Sequence, residues 1–136
     1  MEIRNYIPSD YEQLQYLWEV TGMGGKFRGD NEAVIAKTIN AGGKLIVLIH
    51  ENKLIGSSWI TNDARRLYLH HFGILPEYQG EGLSKLLLDE SLKFARETKL
   101  QIKLEVHKDS EIALKIYKKA GFGYLGDYEV HIIREY

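Results

Sequence analysis

Three sets of residues in this chain have types and spacings suited to chemistry. The first is the stretch Phe72-Gly-Ile-Leu-Pro-Glu-Tyr-Gln-Gly-Glu-Gly-Leu-Ser-Lys85, in which an apolar strand stops at Pro76, a short loop turns, and Gly80 and Gly82 open a leucine-rich helix running to about Lys99. A helix entered in this way offers unpaired backbone N–H groups at the positive end of its dipole, where a phosphate-bearing ligand sits well. The second set is Tyr68, His70 and His71, on the strand that feeds this loop. Strand alternation predicts Tyr68 and His70 on one face with Phe72, and His71 on the other with Leu69. Adjacent histidines on opposite faces do not make a metal site, so no metal is expected. The third is Tyr117, on the apolar face of a later helix with Ala113 and Ile116, a place that core packing alone explains.

The loop does not match the common nucleotide motifs. A phosphate loop of nucleotide hydrolases needs Gly-x4-Gly-Lys-Ser/Thr, and neither Gly25-Lys26 nor Gly43-Lys44 has a glycine five residues before its own. A dinucleotide fingerprint needs Gly-x-Gly-x-x-Gly, and the run from Gly80 through Gly82 reaches Lys85 instead. The helix after the loop is strongly amphipathic. Leu87, Leu88, Ser91, Leu92 and Ala95 share one face, and Lys85, Asp89, Lys93 and Glu97 form a charged stripe on the other. A helix held by such a face makes its N-terminus a rigid platform.

The elements that must position these residues are read from the chain in order. Its 136 residues suffice for one domain, 1–136, with its own core. Lys and Arg number 18 against 19 Asp and Glu, a net charge of −1, so no bulk field recruits nucleic acid or an acidic membrane. The absence of cysteine excludes disulfides and thiolate metal sites and fits a reducing, cytoplasmic setting. No apolar run approaches membrane-spanning length. A short strand over Met1–Tyr6 precedes a helix capped by Ser9 or Asp10 that runs to about Val20. A loop over Gly22–Asp30 leads to a second helix over Asn31–Asn40. Three strands come next as an antiparallel meander: Lys44–His50, Leu54–Thr61 with Gly56 at a bulge or close approach, and Arg66–Leu75. After the glycine loop and its helix, Leu100–Val106 returns parallel to the third of them. A helix from about Ser110 to Gly121 and a closing hairpin over Phe122–Leu125 and Val130–Arg134 complete the pattern. The expected class is α/β, a mixed and mostly antiparallel sheet of six or seven strands with helices on both faces.

On these residues the chain resembles the GNAT superfamily of N-acetyltransferases. The family's acyl-CoA signature, Gln/Arg-x-x-Gly-x-Gly/Ala after a strand ending in Pro, is similar to Gln79-Gly80-Glu81-Gly82-Leu83-Ser84 after Pro76. A second block of the family is similar to Leu104-Glu-Val106 followed by Ser110, Ala113, Tyr117, Lys119 and Gly121-Phe122. Ser84 stands where the family has Gly or Ala, and Ser110 where Asn is common. The resemblance spans about Leu45 to Phe122 and implies a GNAT-like acyl-CoA N-acyltransferase fold. It further implies acetyl-CoA as acyl-donor cosubstrate, with backbone N–H groups of Gln79, Gly80, Glu81, Gly82, Leu83, Ser84 and Lys85 on the pyrophosphate. Phe72, Gly73 and Ile74 would pair with the pantetheine arm, and Ser110 would lie at the cofactor or substrate.

The resemblance also assigns chemistry. Tyr117 would be the acid for the departing thiolate and His70 the base for the amine, with Glu105 on the neighbouring strand as the alternative base. A strand N–H near Phe72–Ile74 would stabilise the oxyanion. The expected activity is direct transfer of acetyl from acetyl-CoA to a primary amine, without a covalent enzyme intermediate; the alternatives are a non-catalytic CoA-binding regulatory module and, more weakly, a nucleotide-phosphate binder using the same loop. Acceptor selection would fall to Gly22–Asp30, the first helices and the closing hairpin, through Phe27, Asp30, Tyr128 and Glu129. His50, His107 and His131 read as structural. The closing strands are candidates to pair across a homodimer.

Overall fold

A computed structural model of the protein describes residues 1–25 and 28–136. The chain divides into two compact units, Met1–Glu105 and Val106–Tyr136. In the first, the strands β1 (Glu2–Asn5), β2 (Lys44–His50), β3 (Lys53–Asn62), β4 (Arg66–Ile74) and β5 (Gln101–Leu104) form one sheet in the order β1-β2-β3-β4-β5. Neighbours are antiparallel except β4 and β5, which are parallel. The helices of this unit are α1 (Tyr11–Thr21), α2 (Glu32–Asn40) and α3 (Leu83–Thr98). None of the helices is long and apolar enough to cross a membrane, among the described residues.

Local chemistry explains the boundaries. Asn31 caps α2 by accepting from the Val34 N–H at 3.0 Å, and Gly22 in a left-handed conformation (φ 69°) ends α1. Glu51 and Asn52, both with positive φ, make the tight β2–β3 turn whose twist suits a two-residue hairpin. Asp10, expected as a side-chain cap for α1, does a different job. Its carboxylate accepts from Arg4 at 2.7 and 2.9 Å and from the Ile7 N–H at 2.9 Å, so it fixes the 3-10 turn Pro8–Asp10 ahead of the helix. The Arg4 guanidinium holds the Asp10 carboxyl below its ordinary pKa.

Strand β3 is the centre of the sheet, and each helix is fastened to it or near it by a hydroxyl that both accepts and donates. On one face the Trp18 indole of α1 donates to Ser57 Oγ at 3.0 Å, and Ser57 Oγ donates to the His71 carbonyl at 2.9 Å. On the same face the Trp59 indole donates to Thr38 Oγ1 of α2 at 2.9 Å, and Thr38 donates its own proton to the Ile35 carbonyl at 2.8 Å. The two indoles stack at 5.2 Å with 12° between their planes. On the opposite face Ser58 Oγ meets Ser91 Oγ of α3 at 2.6 Å. Ser91 donates to the Leu87 carbonyl at 2.8 Å, so its single proton is committed and Ser58 is the donor of the pair. Around these relays lie fully buried Leu14, Leu17, Ile35, Leu45, Val47, Ile60, Leu67 and Leu87.

The second unit holds α4 (Glu111–Ala120), ended by Gly121 with φ 108°. Residues 121–136 form no strand, so the expected closing hairpin is absent and the sheet has five strands rather than six or seven. Apolar, β-branched side chains such as Val130, Ile132 and Ile133 satisfy a strand pattern, but a strand exists only where its backbone finds a ladder partner. The strand expected over Leu100–Val106 is likewise shorter, Gln101–Leu104.

The Ser58–Ser91 relay yields a stability test. Ser91→Ala leaves the buried Ser58 hydroxyl without an acceptor and is expected to cost about 1–3 kcal/mol in urea unfolding. The double variant Ser58→Ala/Ser91→Ala removes both polar groups and is expected to be more stable than Ser91→Ala alone. A double variant that is the less stable would show that the relay is not the contact that holds α3.

Candidate functional site

The site is built on β4 and the loop after it. The β4–β5 ladder pairs Arg66, Leu67, Tyr68 and Leu69 with Gln101, Ile102, Lys103 and Leu104, and stops there. Strand β4 continues to Ile74, so the stretch from His70 to Ile74 has β3 on one edge and no β5 partner on the other. A strand edge of this kind is where an extended ligand can add as a further strand. At the end of the strand, the Leu75 N–H donates to the Ile55 carbonyl at 2.8 Å, and Pro76–Tyr78 form a single 3-10 turn.

The loop from Gln79 to Lys85 has the form expected from the sequence. Gln79 is extended, and its side-chain amide donates to the Ile74 carbonyl at 3.0 Å, tying the loop back to the strand. Gly80 (φ 82°) and Gly82 (φ 78°) both lie in the left-handed region, which an L side chain enters at a cost. A Cβ on either would meet open space, so backbone conformation rather than crowding demands glycine here. Gly82 is the N-cap of α3, no side chain caps it, and the first turn carries no acid. Leu83 is buried beneath this turn. Ser84 is half-buried, Glu81 is exposed, and Lys85 is exposed with its ammonium 2.7 Å from Asp89. The result is an N-terminus with free donors, rigidly backed by α3.

The histidines depart from simple alternation. In the β3–β4 register Trp59 faces His70 and Ser57 faces Gly73, so Ser58 alone stands opposite two residues, His71 and Phe72. This is a β-bulge, and His71 takes the strained φ of 40° that it requires. The bulge shifts the pleat by one residue. His71, expected on the face of Leu69, instead turns to the face of His70, where its ring meets Trp18 edge-on at 4.7 Å and Trp59 at 5.2 Å. Beyond the bulge Gly73 shares the face of Ser57, which carries Phe72 off the face of Tyr68 and His70. A Cβ at Gly73 would lie 2.8 Å from the Met23 side chain, so glycine is what lets the loop after α1 cross the strand.

The partners of the two rings differ. His70 Nε2 lies 2.9 Å from Thr61 Oγ1, and its ring stacks on Tyr68 at 4.4 Å. Burial, reinforced by neighbouring His71, lowers the His70 pKa below its ordinary value against the opposing pull of Glu105 and Asp30. Burial first, and then a hydrogen bond to Glu105, raise the Tyr68 phenol. Glu105 itself is exposed just past the end of β5. His71 Nε2 lies 2.7 Å from Asp30 Oδ2, a carboxylate oxygen that also accepts from the Gly25 N–H at 3.0 Å. Asp30, expected as an exposed acid near the acceptor, is instead mostly buried against this imidazole, its side chain 15% exposed. No periodicity could signal a pair 41 residues apart, although Gly24-Gly25 beside an acid marks a tight loop. Phe27 lies outside the described residues.

In the second unit Tyr117 is half-buried, with its ring against Phe122 at 5.7 Å, and burial pushes its phenol up to about 12. Ser110 holds the N-cap position of α4, and its side chain makes no cap bond. Two open surface clefts, of about 570 and 450 Å³, line α1 and α2 and share no residue with the 79–85 loop. That loop offers backbone donors rather than an enclosed volume, so cleft size does not locate it. Among the described residues no group of three or more His, Asp or Glu side chains is placed to hold a metal.

The sequence profile of the acetyltransferase (GNAT) family matches residues 10–122. Among solved structures, the chain is similar to a protein of unknown function and probable acetyltransferase from meticillin-resistant Staphylococcus aureus, at 23% identity over 98% of each chain and a TM-score of 0.77. It is similar to the ribosomal-protein-S18-alanine N-acetyltransferase from Escherichia coli, at 17% identity over 90% of this chain and 77% of that one, with a TM-score of 0.76. It is also similar to AAC(6')-Iy in complex with the bisubstrate analogue CoA-S-monomethyl-acetylneamine, at 14% identity over 99% and 97% and a TM-score of 0.73. At these identities the likeness is one of fold.

The environment of His70 has a measurable consequence. Its pKa is lowered in the folded state, so as pH falls the unfolded chain takes up this proton first, and stability is lost from about pH 6.5 downward toward the lower folded value. His70→Gln, which keeps a group able to bond Thr61, is expected to show a shallower loss of unfolding free energy between about pH 7 and pH 5 than the wild type. Equal slopes would mean that burial of the ring does not disfavour its charge.

Proposed function

The chain belongs to the acetyltransferase (GNAT) family, and from that premise we propose that it transfers an acetyl group from acetyl-CoA directly to a primary amine. The observation that carries this reading is the continuity of three features: the edge of β4 without a β5 partner, the 3-10 turn at Pro76, and the uncapped start of α3 entered through Gly80 and Gly82. In this reading the pantetheine arm lies along Phe72–Ile74 as an added strand and the pyrophosphate rests on the N–H groups of residues 79–85. A phosphate there meets no side-chain cap that it must displace.

Acetyl transfer needs a neutral amine, a stabilised oxyanion and a proton for the departing thiolate. Backbone N–H groups beyond the end of the β4–β5 ladder would supply donors for the oxyanion. Tyr117, a phenol protonated at neutral pH and pushed further up to about 12 by burial, is assigned as the acid. The base is drawn from the imidazoles of β4, of which His70 is the one expected from sequence. With no cysteine to carry an acyl group, direct attack by the amine is the simpler course. AAC(6')-Iy in its complex and the S18-alanine enzyme share the fold and differ in acceptor, so the acceptor must be found by assay.

Binding is tested by thermal denaturation with CoA. At about 100 times its dissociation constant CoA should add about 2.7 kcal/mol of stability, with ATP and NAD giving little. Gly82→Val, which forces a β-branched residue to φ 78°, should abolish that gain while the protein still folds. A full CoA shift in the variant would displace the pyrophosphate from this loop.

Turnover is tested by thiol release from acetyl-CoA across an acceptor panel: an aminoglycoside, a peptide with N-terminal alanine, a lysine peptide and a polyamine. Tyr117→Phe is expected to lower kcat by about 100-fold on any amine that is acetylated, with CoA binding retained. Unchanged kcat would remove Tyr117 from the chemistry. CoA binding without thiol release on any amine would favour a non-catalytic CoA-binding module.

A further inference from the structure

The most elaborate polar construction on the face of β4 that carries both histidines is centred on His71. Its backbone stands at the strained φ of 40°, and its carbonyl is held by Ser57, which is itself held by the Trp18 indole, both side chains being fully buried. Strain of this kind persists only where the surroundings impose it, and it clusters at functional positions. The ring packs edge-on against the stacked pair Trp18 and Trp59. The carboxylate beyond it is equally constrained. Asp30 Oδ2 accepts from the Gly25 N–H, the Asp30 N–H donates to the Gly25 carbonyl at 3.2 Å, and the Asp30 carbonyl accepts from Gln15 Nε2 at 2.8 Å. Gly24 closes over the pair so tightly that a Cβ there would collide with both Asp30 Oδ2 and His71 Nε2.

This geometry fixes the tautomer. A carboxylate accepts, so in this contact His71 Nε2 is the donor, and in the neutral ring Nδ1 then carries the lone pair. No residue among those described bonds Nδ1. A carboxylate behind a histidine orients the ring and stabilises the imidazolium that forms when the free nitrogen takes a proton. His70 has no such support: its Nε2 is engaged by Thr61, and its face is covered by Tyr68.

We propose that His71 is the catalytic base, accepting the acceptor's proton at Nδ1, with Asp30 as the positioning residue that fixes the ring through Nε2. This rests on the acetyl-transfer reading above. An ammonium acceptor gives one proton to Nδ1; its nitrogen lone pair forms the C–N bond to the thioester carbonyl, whose π pair moves to oxygen. Collapse of that oxyanion breaks the C–S bond, the thiolate takes the second amine proton through the acid, and the imidazolium returns its proton to water. The products are an N-acetyl amine, free CoA and one proton.

The test uses the full chain and whichever amine of the acceptor panel is turned over fastest. His71→Ala should lower kcat by about 100-fold or more, with KM for acetyl-CoA and the CoA thermal shift unchanged, and imidazole added to the buffer should restore part of the rate. Asp30→Asn should lower kcat without the rescue by imidazole, and Asp30→Glu should recover part of the loss. Wild-type kcat in His71→Ala, or a loss in it that imidazole never relieves while CoA still binds, overturns the assignment. If His71→Ala fails to fold, or no amine is acetylated, nitrogen-15 NMR of the wild-type histidine rings decides: a neutral His71 protonated at Nε2 supports the dyad, and one protonated at Nδ1 overturns it. Failure of the acetyl-transfer reading itself shows separately, as absence of a CoA shift in the wild type.

Discussion

The structure depends on one extra residue in β4. Opposite Ser58 the strand carries His71 and Phe72 where regular pairing allows one residue, and the excess is absorbed by the left-handed turn of the His71 backbone. Such a bulge costs energy and would relax if nothing opposed it. Opposition comes from the chain Trp18 to Ser57 to the His71 carbonyl, fully buried at its first two members, so that straightening the strand would leave the Ser57 hydroxyl proton without its acceptor in the core. Helix α1 is therefore more than a cover for the sheet. Its tryptophan is the clamp that keeps β4 bent.

Everything downstream is phased by that bend. Before it, Leu67 and Leu69 fill the core and pair with β5; after it, Gly73 and Ile74 have changed faces relative to an unbroken strand. The Gly56–Ile74 contact shows how little slack remains, since a Cβ at Gly56 would come within 2.7 Å of Ile74 Cδ1. The β5 ladder ends one residue before His70, so the stretch beyond β5 begins where the pleat is about to shift. A sheet with regular pairing to its end would present neither a stretch of β4 beyond β5 nor two imidazoles on one face.

Much of this was legible in the sequence where the signal is local. The leucine spacing of α3, the glycines at 80 and 82, the proline that halts β4 and the strand–helix–strand return are all short-range patterns, and the strand order could be read from them. What was not legible is long-range. The bulge is held by the Ser57 hydroxyl on the His71 carbonyl, with an indole 39 residues away on the same hydroxyl, and alternation alone assigned His71 to the wrong face. Asp30 looked like a solvated acid because its imidazole partner is remote in sequence. The closing strands failed for the converse reason: Phe122–Leu125 and Val130–Arg134 have strand composition, but composition supplies no ladder.

The helix anchors explain how a site spread along β4 stays in register with the loop beyond it. Trp18 and Ser57 fix the strand at His71, and Ser58, the next residue of β3, fixes α3 through Ser91 two turns into that helix. Adjacent residues of β3 thus hold the bend in β4 with one side chain and the body of α3 with the other, on opposite faces. Between them the chain crosses from Ile74 to Leu83 through a short loop, itself tied back by the Gln79 amide on the Ile74 carbonyl. A ligand bound along this path would meet the edge of β4 at one end and the start of α3 at the other, and both are referenced to Ser57-Ser58. The two anchors share a backbone and no side chain, so the hold on the bend and the hold on α3 are separate contacts.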